Sequence, residues 1–404
     1  MAQTFPQNLF EKHSVNIERA LYNRRFTHAD LQPLILKYKN VEGFEIVEIG
    51  KSVQGRVIQR IKIGNGPLKI LLWSQMHGDE ATATMAIFDI FNLFAKKNEF
   101  EQEKSEILKQ CTLYFVPMLN PDGAEVFERR NALGIDLNRD AVRLQSPEAI
   151  LLKKLQNEIK PFFGFNLHDQ SLRYAVGNTG KQTTIAFLAT AYNEAREVNE
   201  VRKRSMQLIV SMNRILQEFI PEQVARFSDE FEPRAFGDNI QKWGTSLVLI
   251  ESGGYKNDTE KQFIRKLNFV TIMASLHAIA IGNYETENIV EYNKIPENNR
   301  VLFDLLIRNA SAIIEGKTVT LDIGINKEEV AAKNGRKFNV KATIEDLGDL
   351  STFYGIEEID ATGLDILSEK SLKLNSKPRF SLLKGGKLVY QINNGIAKKI
   401  VKIK

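Results

Sequence analysis

The sequence predicts an α/β domain, with a mixed or mostly parallel sheet covered on both faces, followed by a small all-β domain. Three observations carry this reading. Four apolar runs, Leu68 to Trp73, Leu113 to Met118, Phe162 to Leu167 and Ser246 to Ile250, have the look of strands buried on both faces. Helical patterns alternate with them, as in layered α/β domains. After about residue 285 the long helical patterns stop, and short apolar runs separated by turns take over.

Taken in order, residues 8 to 40 read as helical and polar-amphipathic, with Thr27 capping His28-Ala29-Asp30-Leu31. Residues 1–40 are thus expected to form a helical extension packed on the domain that follows. Phe44 to Ile49 and Val57 to Ile63 alternate about Gly50-Lys51-Ser52-Val53-Gln54-Gly55, a hairpin signature. The strand Leu68 to Trp73 leads into His77-Gly78-Asp79-Glu80 and a helix, Ala81 to Lys97. The strand Leu113 to Met118 ends at Asn120-Pro121-Asp122-Gly123. Ser146-Pro147-Glu148 opens a helix to Ile159, and the third strand ends at His168. A long helix is expected over about 184 to 218. The fourth strand ends at Glu251, with Gly253-Gly254 just beyond, and a last helix runs from about Thr259 to Ile281. The main domain therefore spans 41–284. Residues 284 to 300 are polar and contain Pro296. Residues 300–404 read as the β domain, with runs Lys317 to Ile323, Phe338 to Ile344, Phe380 to Leu383 and Lys387 to Ile392, and turns at Asn334-Gly335 and Gly385-Gly386.

The composition, 43% apolar and 26% charged over 404 residues, is that of an ordinary globular protein. The net charge of +5 reads as mild and spread along the chain, which argues against a nucleic-acid partner. No window reaches the roughly 18 apolar residues of a membrane helix, so no membrane partner is expected. The start, Met-Ala-Gln-Thr-Phe-Pro, lacks a basic-then-apolar signal. A cytoplasmic location is the expectation, with a periplasmic or secreted one as the alternative where a signal has been removed. The single cysteine, Cys111, sits in an apolar run and reads as a small buried hydrophobe. Any metal must therefore use His and carboxylate ligands.

In open α/β sheets the ligand site forms at the carboxyl ends of strands. All four polar segments sit there, which is the argument for one shared site. His77 and Glu80 are three apart at a helix entrance, so both can face one ion. His168 can complete a His₂Glu set, which leaves a position open for water, as catalytic zinc does. The other histidines, His13, His28 and His277, read as structural. Asp136 is a candidate to take the second N–H of His77 and fix its tautomer. Asn138 and Arg139 could bind a carboxylate, Arg in a bidentate fork. Arg129 and Arg130 offer a cation where an amide hydrolase needs a donor for its oxyanion. Glu251, carried out of an apolar strand, is rigid and partly desolvated, which suits a general base. Alone, each of these signals has a bland reading: a chance H-x-x-E, a turn aspartate, solvated arginines, a capping carboxylate.

Together, the ordered motifs H-G-x-E (His77 to Glu80), N-P-D-G (Asn120 to Gly123), R-x-N-x-x-G-x-D-L-N-R (Arg129 to Arg139), strand-His (His168) and strand-Glu-x-Gly (Glu251) resemble those of the M14 zinc carboxypeptidases. The resemblance covers roughly residues 40 to 282. It implies a three-layer α/β/α fold with a mixed eight-stranded central sheet and one zinc ion per chain. It implies His77, Glu80 and His168 as metal ligands and Glu251 as the base that later protonates the leaving amine. Arg129 rather than Arg130 would polarise the scissile carbonyl, because the pattern is R-x-N. Asn138 and Arg139 would grip the substrate's terminal carboxylate, and Asp136 would support His77. Two features depart from the family: the stretch Phe227 to Trp243 lacks the tyrosine that caps substrate about 20 residues before the glutamate, and the C-terminal β domain is additional. Tyr255 is the nearest substitute by position.

The expected activity is zinc-dependent hydrolysis of a C-terminal peptide bond. Two alternatives accompany it: a zinc deacylase of N-acyl amino acids, resembling aspartoacylase and succinylglutamate desuccinylase, and a binding module without activity. The expected partner is a peptide or N-acyl amino acid with a free carboxylate.

Overall fold

The structure, a computed structural model, describes residues 3–332 and 337–400. It divides into two compact units, Met1–Ser171 with Thr183–Asn298, and Leu172–Gln182 with Asn299–Lys404. Residues 172–182, within the stretch the sequence assigned to the main domain, thus group with the C-terminal unit.

The first unit is built on an eight-stranded sheet of strands β1 (Phe44–Lys51), β2 (Val57–Ile63), β3 (Leu68–Trp73), β4 (Cys111–Val116), β5 (Phe163–Asp169), β7 (Ile185–Leu188), β8 (Val224–Arg226) and β9 (Ser246–Ser252), in the order β1-β2-β4-β3-β5-β9-β7-β8. Two short strands, β6 (Ala175–Val176) and β10 (Asn298–Asn299), lie outside it. The four inner strands β4, β3, β5 and β9 are parallel, β1 and β2 pair antiparallel with their neighbours, and β7 pairs antiparallel with β9 and parallel with β8. The sheet is therefore mixed, and the inner strands are buried on both faces. Ile70, Leu72, Phe115, Phe165 and Val248 pack into one core with the helices α3 (Thr82–Ala95), α7 (Glu200–Gln217) and α9 (Gln262–Ile281). Leu71, Trp73, Val116 and Leu247 pack on the opposite face with α6 (Pro147–Ile159) and α8 (Phe236–Lys242). Three layers follow from this division.

The N-terminal helices α1 (Phe5–Asn16) and α2 (His28–Leu36) belong to the first core through Leu9, Leu31 and Ile35. Thr27 caps α2 by a reciprocal capping box with Asp30. A buried ion cluster fastens α1: His13 Nε2 lies 2.8 Å from Asp89 Oδ2, and Arg265 Nε donates to the same oxygen at 2.7 Å. The two other histidines outside the candidate site are also held by contacts: His28 Nε2 lies 2.8 Å from Val57 O and His277 Nε2 lies 2.6 Å from Glu106 Oε2.

Three sequence expectations need correction. The long helix over 184–218 is instead the buried strand β7, an irregular stretch, and then α7. Thr183-Thr184-Ile185-Ala186-Phe187-Leu188 is a β-branched and aromatic run, and Asn199 starts the helix by accepting from Arg202 N. Second, α9 is long and apolar enough to cross a membrane by length and composition, yet 78% of its apolar window is buried as a core helix. Third, the positive charge is not spread evenly: residues 370–404 hold ten Lys and Arg and no Asp or Glu. The short helices α4 (Glu101–Gln110), α5 (Pro121–Val126) and α10 (Ile289–Lys294) also escaped the sequence reading.

The second unit is a sheet of β11 (Leu302–Ile314), β12 (Lys317–Ala331), β13 (Phe338–Gly348), β14 (Tyr354–Asp360), β15 (Asp365–Leu367), β16 (Arg379–Lys384), β17 (Lys387–Asn393) and β18 (Ile396–Lys399). Its centre is β11, a strand the sequence reading omitted, which pairs with β12, β14 and β15. Leu305, Ile307, Ile323, Ile344, Leu382 and Ile392 form its core. The turn expected at Asn334-Gly335 lies outside the described residues.

Candidate metal centre

The carboxyl ends of the four parallel strands carry the polar segments that the sequence singled out. The chain leaves β3 and β4 side by side: Ser74 N donates to Val116 O at 3.1 Å, and Asn120 N donates to Gln75 O at 2.9 Å. This brings His77-Gly78-Asp79-Glu80 against the Asn120-Pro121-Asp122-Gly123 turn. A Cβ on Gly78 would lie 2.0 Å from the carbonyl carbon of Gly123, so only glycine fits without moving that backbone. Asn120 caps α5 by accepting from Gly123 N at 2.9 Å, and its amide donates to Arg129 O at 3.3 Å. Asp122 accepts from Ser52 Oγ, Gln54 N and Arg56 at 2.7, 2.9 and 2.8 Å, which pins the turn to the β1–β2 hairpin. The N-P-D-G motif is thus a scaffold that sets the height of Arg129.

His77, Glu80 and His168 come together, all buried, with one candidate ligand atom from each within 4.8 Å of the others. His77 Nδ1 lies 2.8 Å from Glu80 Oε1, and His168 Nδ1 lies 2.7 Å from Glu80 Oε2. Asp136 Oδ1 lies 3.0 Å from His77 Nε2 and also accepts from Asn138 N at 2.9 Å. Arg129 Nε donates to Asp136 Oδ2 at 3.1 Å, and its NH1 lies 3.0 Å from His77 Nδ1 and 3.2 Å from Glu80 Oε1. Arg130 points elsewhere, donating to Gly134 O. Glu251 stands beside His168 in the parallel register of β5 and β9. Its Oε2 is buried and has no hydrogen-bond partner among the described residues, as is also true of His168 Nε2.

The donor chemistry fits a cation. When the Nε2–H of His77 serves Asp136, Nδ1 is a lone pair, and it faces a carboxylate oxygen. His168 Nδ1 faces the other oxygen of the same carboxylate. Two acceptors at hydrogen-bond distance require either a proton or a positive ion between them, and a His₂Glu set in which a carboxylate, here Asp136, holds one histidine by its other nitrogen is an ordinary zinc site.

The same contacts set the electrostatics of the cluster. Burial opposes the charged form of His77, but Glu80 and Asp136 outweigh it and hold its pKa at about 9. Burial instead wins at His168, which lacks a second carboxylate, and pushes it down. Burial also opposes ionisation of Glu80, yet His77 and His168 hold it well below the usual carboxylate range. Asp136 is likewise held low against burial by His77 and Arg129. Burial, and then the negative charge of Glu80, push Glu251 well above the ordinary value. Asp79 rises to about 6 for the same two reasons.

The expected carboxylate clamp lies more openly. Asn138 Oδ1 accepts from Phe236 N at 2.9 Å, so the amide's NH₂ is the part that can donate to a ligand. Arg139 is 38% exposed and lies 3.2 Å from Glu232 Oε2. Arg234 forks the same carboxylate at 2.9 and 2.8 Å, and hydrogen bonds from Arg234 hold Glu232 at about 2. Sequence reasoning missed Glu232 and Arg234, which lie in an irregular loop with no periodic signal. The stretch 227–243 contains no tyrosine. Tyr255 packs on Phe263 in a tilted pair, ring centroids 4.3 Å apart and planes at 38°, and against the main core.

Comparison with known proteins adds the following. The family model described as zinc carboxypeptidase matches residues 36–149, which include every site residue named above up to Arg139. Carboxypeptidase 2 of Trichophyton tonsurans is 23% identical over 223 residues, covering 54% of this chain and 36% of that protein. The chain therefore spans about a third of the length of this curated relative. A metallo-carboxypeptidase from Burkholderia cenocepacia superposes with a TM-score of 0.52 at 15% identity, over 65% of this chain and 71% of that one. A metallo-carboxypeptidase from Pseudomonas aeruginosa, solved with (2-guanidinoethylmercapto)succinic acid, gives 0.51 at 19% identity over 65% and 71%. At these identities the structural likeness speaks for the fold.

Proposed function

Because the chain carries an M14 zinc carboxypeptidase domain, we propose that it is a zinc-dependent hydrolase that removes the C-terminal residue of a peptide. The observation that carries this is the convergence of His77, Glu80 and His168 beside a buried, unpartnered carboxylate, Glu251. His77 Nδ1, Glu80 and His168 Nδ1 would hold the ion. Zinc bound there supplies a Lewis acid and a water of lowered pKa.

The chain's own groups do the rest. Glu251 takes a proton from the attacking water. Its burial raises its proton affinity, as a base working near neutral pH needs. The same carboxyl then delivers that proton to the leaving amine, so the products are a free amino acid and a shortened chain ending in a new carboxylate. Arg129, fixed by Asp136, donates to the carbonyl oxygen as negative charge develops there. Arg139 and the NH₂ of Asn138 dock the terminal carboxylate and set which amide is attacked. Asp136 holds His77 in the tautomer that leaves Nδ1 free for the ion.

The test is a panel of zinc-loaded incubations with C-terminal peptides and with N-acyl amino acids. Release of the last residue from peptides is the expected result. Release of amino acid from N-acyl compounds alone would assign a deacylase and overturn the peptidase reading. No release from either would leave a binding module.

A further inference from the structure

Behind the site lies a buried lysine to which the mechanism above gives no part. Lys261 has a side chain only 6% exposed, in the loop that precedes α9. Its ammonium donates to Asp169 Oδ2 at 3.0 Å and to Ser252 O at 2.9 Å. Asp169 Oδ2 also accepts from Thr82 Oγ1 at 2.6 Å. Ser252 O accepts a second bond from Gln170 N at 3.0 Å, and Ser252 Oγ accepts from Asn268 on α9 at 2.9 Å.

The partners share one property. Asp169 directly follows His168 on β5, Ser252 directly follows Glu251 on β9, and Thr82 lies two residues after Glu80 at the start of α3. Asp169, Ser252 and Thr82 are therefore each one or two residues from a group of the site, and the ammonium adds a side-chain tie to strand ends that already meet through the β5–β9 ladder and the bond from Gln170 N to Ser252 O. A lysine is costly to desolvate and is seldom fully buried unless paired. The backbone at Lys261 is also left-handed, with φ +51°. A lysine without a β-branch tolerates this, but glycine or asparagine would suit it better.

Taking the function proposed above as given, we propose that Lys261 is a positioning residue: bound at once to the side chain after His168 and the carbonyl after Glu251, it fixes the metal-ligating end of β5 relative to the base-bearing end of β9. Zinc affinity depends on the first end and turnover on both. The terminal-carboxylate clamp depends on neither.

The test uses the full chain and four variants: Lys261→Met, Lys261→Arg, Asp169→Asn and the double Lys261→Met/Asp169→Asn. Zinc affinity is read by competition with a chromophoric chelator, kcat and KM on a C-terminal peptide, and stability by thermal unfolding. Loss of a partner bonded directly to a metal ligand typically costs about 10–100-fold in metal affinity or activity. Lys261 acts one residue further out, so Lys261→Met should bind zinc about 3–10-fold more weakly and lose about 3–10-fold in kcat, below that range, with KM within about 2-fold of the parent. Lys261→Arg, which keeps the charge and its donors, should recover most of both. The double variant removes the stranded carboxylate, so it should regain thermal stability without regaining zinc affinity or kcat. A merely structural role predicts that all three recover together. If Lys261→Met does not fold, the double variant and Lys261→Arg carry the test. Parental zinc affinity and kcat in the folded double variant would overturn the proposal. Failure of the parent to cleave any peptide would count against the proposed function, whereas the zinc titrations would still decide the role of Lys261.

Discussion

The two halves of the candidate site are built differently. The metal-ligand and base groups are buried: His77, Glu80 and His168 are each under a tenth exposed, and Asp136 and Glu251 hold fixed places beside them, while Arg129, at 43% exposed, reaches in from the open side. The half that would recognise substrate is open: Arg139 is 38% exposed, and its charge is shared with Glu232 and Arg234 in an irregular loop. The difference teaches where precision is invested. His168 and Glu251 sit on strand ends, and His77 and Glu80 sit in the short stretch between β3 and α3, where neighbouring strands and packed helices over-determine them. The clamp sits on a 3₁₀ turn, Leu137–Arg139, and on the loop before α8. A carboxylate of the protein already occupies part of the clamp, and the tyrosine of the family is missing from the same loop. We read this as tight control over the reaction and looser control over the substrate.

The largest expected effect breaks the buried half. Glu251→Gln removes the base and keeps the shape, so kcat should fall by roughly 10²–10⁴-fold. Zinc content, measured by atomic absorption, should stay that of the parent, because Glu251 is not among the three ligands. Unchanged turnover would remove Glu251 from the mechanism.

A smaller effect sharpens the open half. Glu232 competes with an incoming carboxylate for Arg139. Glu232→Gln should lower KM for free-carboxylate peptides by about 2–5-fold, in line with one exposed ion pair of up to about 1 kcal/mol, and leave kcat nearly constant. A raised KM would mean that Glu232 orients Arg139 instead of blocking it.

The smallest effect concerns stability. Asp238, on α8 beneath the clamp, accepts from Glu232 N at 3.2 Å. Burial chiefly raises its pKa to about 7 from an ordinary 3.8. The folded form therefore keeps its proton to higher pH than the unfolded form does. Stability must fall as pH rises from about 4 to about 7, and the ionised carboxylate remains a burden above that. Asp238→Asn keeps the acceptor without the charge. It should be more stable than the parent by roughly 1–3 kcal/mol at pH 8, and equal to it near pH 4 in urea titrations. Equal stability at both values would show that Asp238 ionises normally.

The same contrast explains what was legible in the sequence. Ile70–Trp73 and Leu247–Ile250 are unbroken apolar runs, so the polar segment beyond each announced itself and its place. Thr27 and Ser146 marked helix starts at the positions found. By contrast, Thr183–Leu188 is as apolar as a helix face and was absorbed into the helix that follows it. The role of Asn120 in setting Arg129 is a side-chain bond to a carbonyl, which no spacing rule reveals. Glu232, Arg234 and Lys261 are distant in sequence from the groups they contact, and charged residues are common on any surface. Only coordinates separate them from solvated ones. The basic stretch 370–404 was legible, but a whole-chain charge of +5 conceals a local excess balanced by acids elsewhere.

The most direct test of the account compares one peptide in two forms, with a free C-terminal carboxylate and with a C-terminal amide. Mass spectrometry follows the products formed by the zinc-loaded protein. The account predicts that the free acid is shortened by one residue and that the amide is cleaved at least about 10-fold more slowly, the loss expected from a charge-assisted contact. Replacing Arg139 with Met should erase that difference by slowing the free acid. Equal cleavage of both forms, or fragments from internal bonds, would contradict the assignment of Arg139 and of a C-terminal hydrolase.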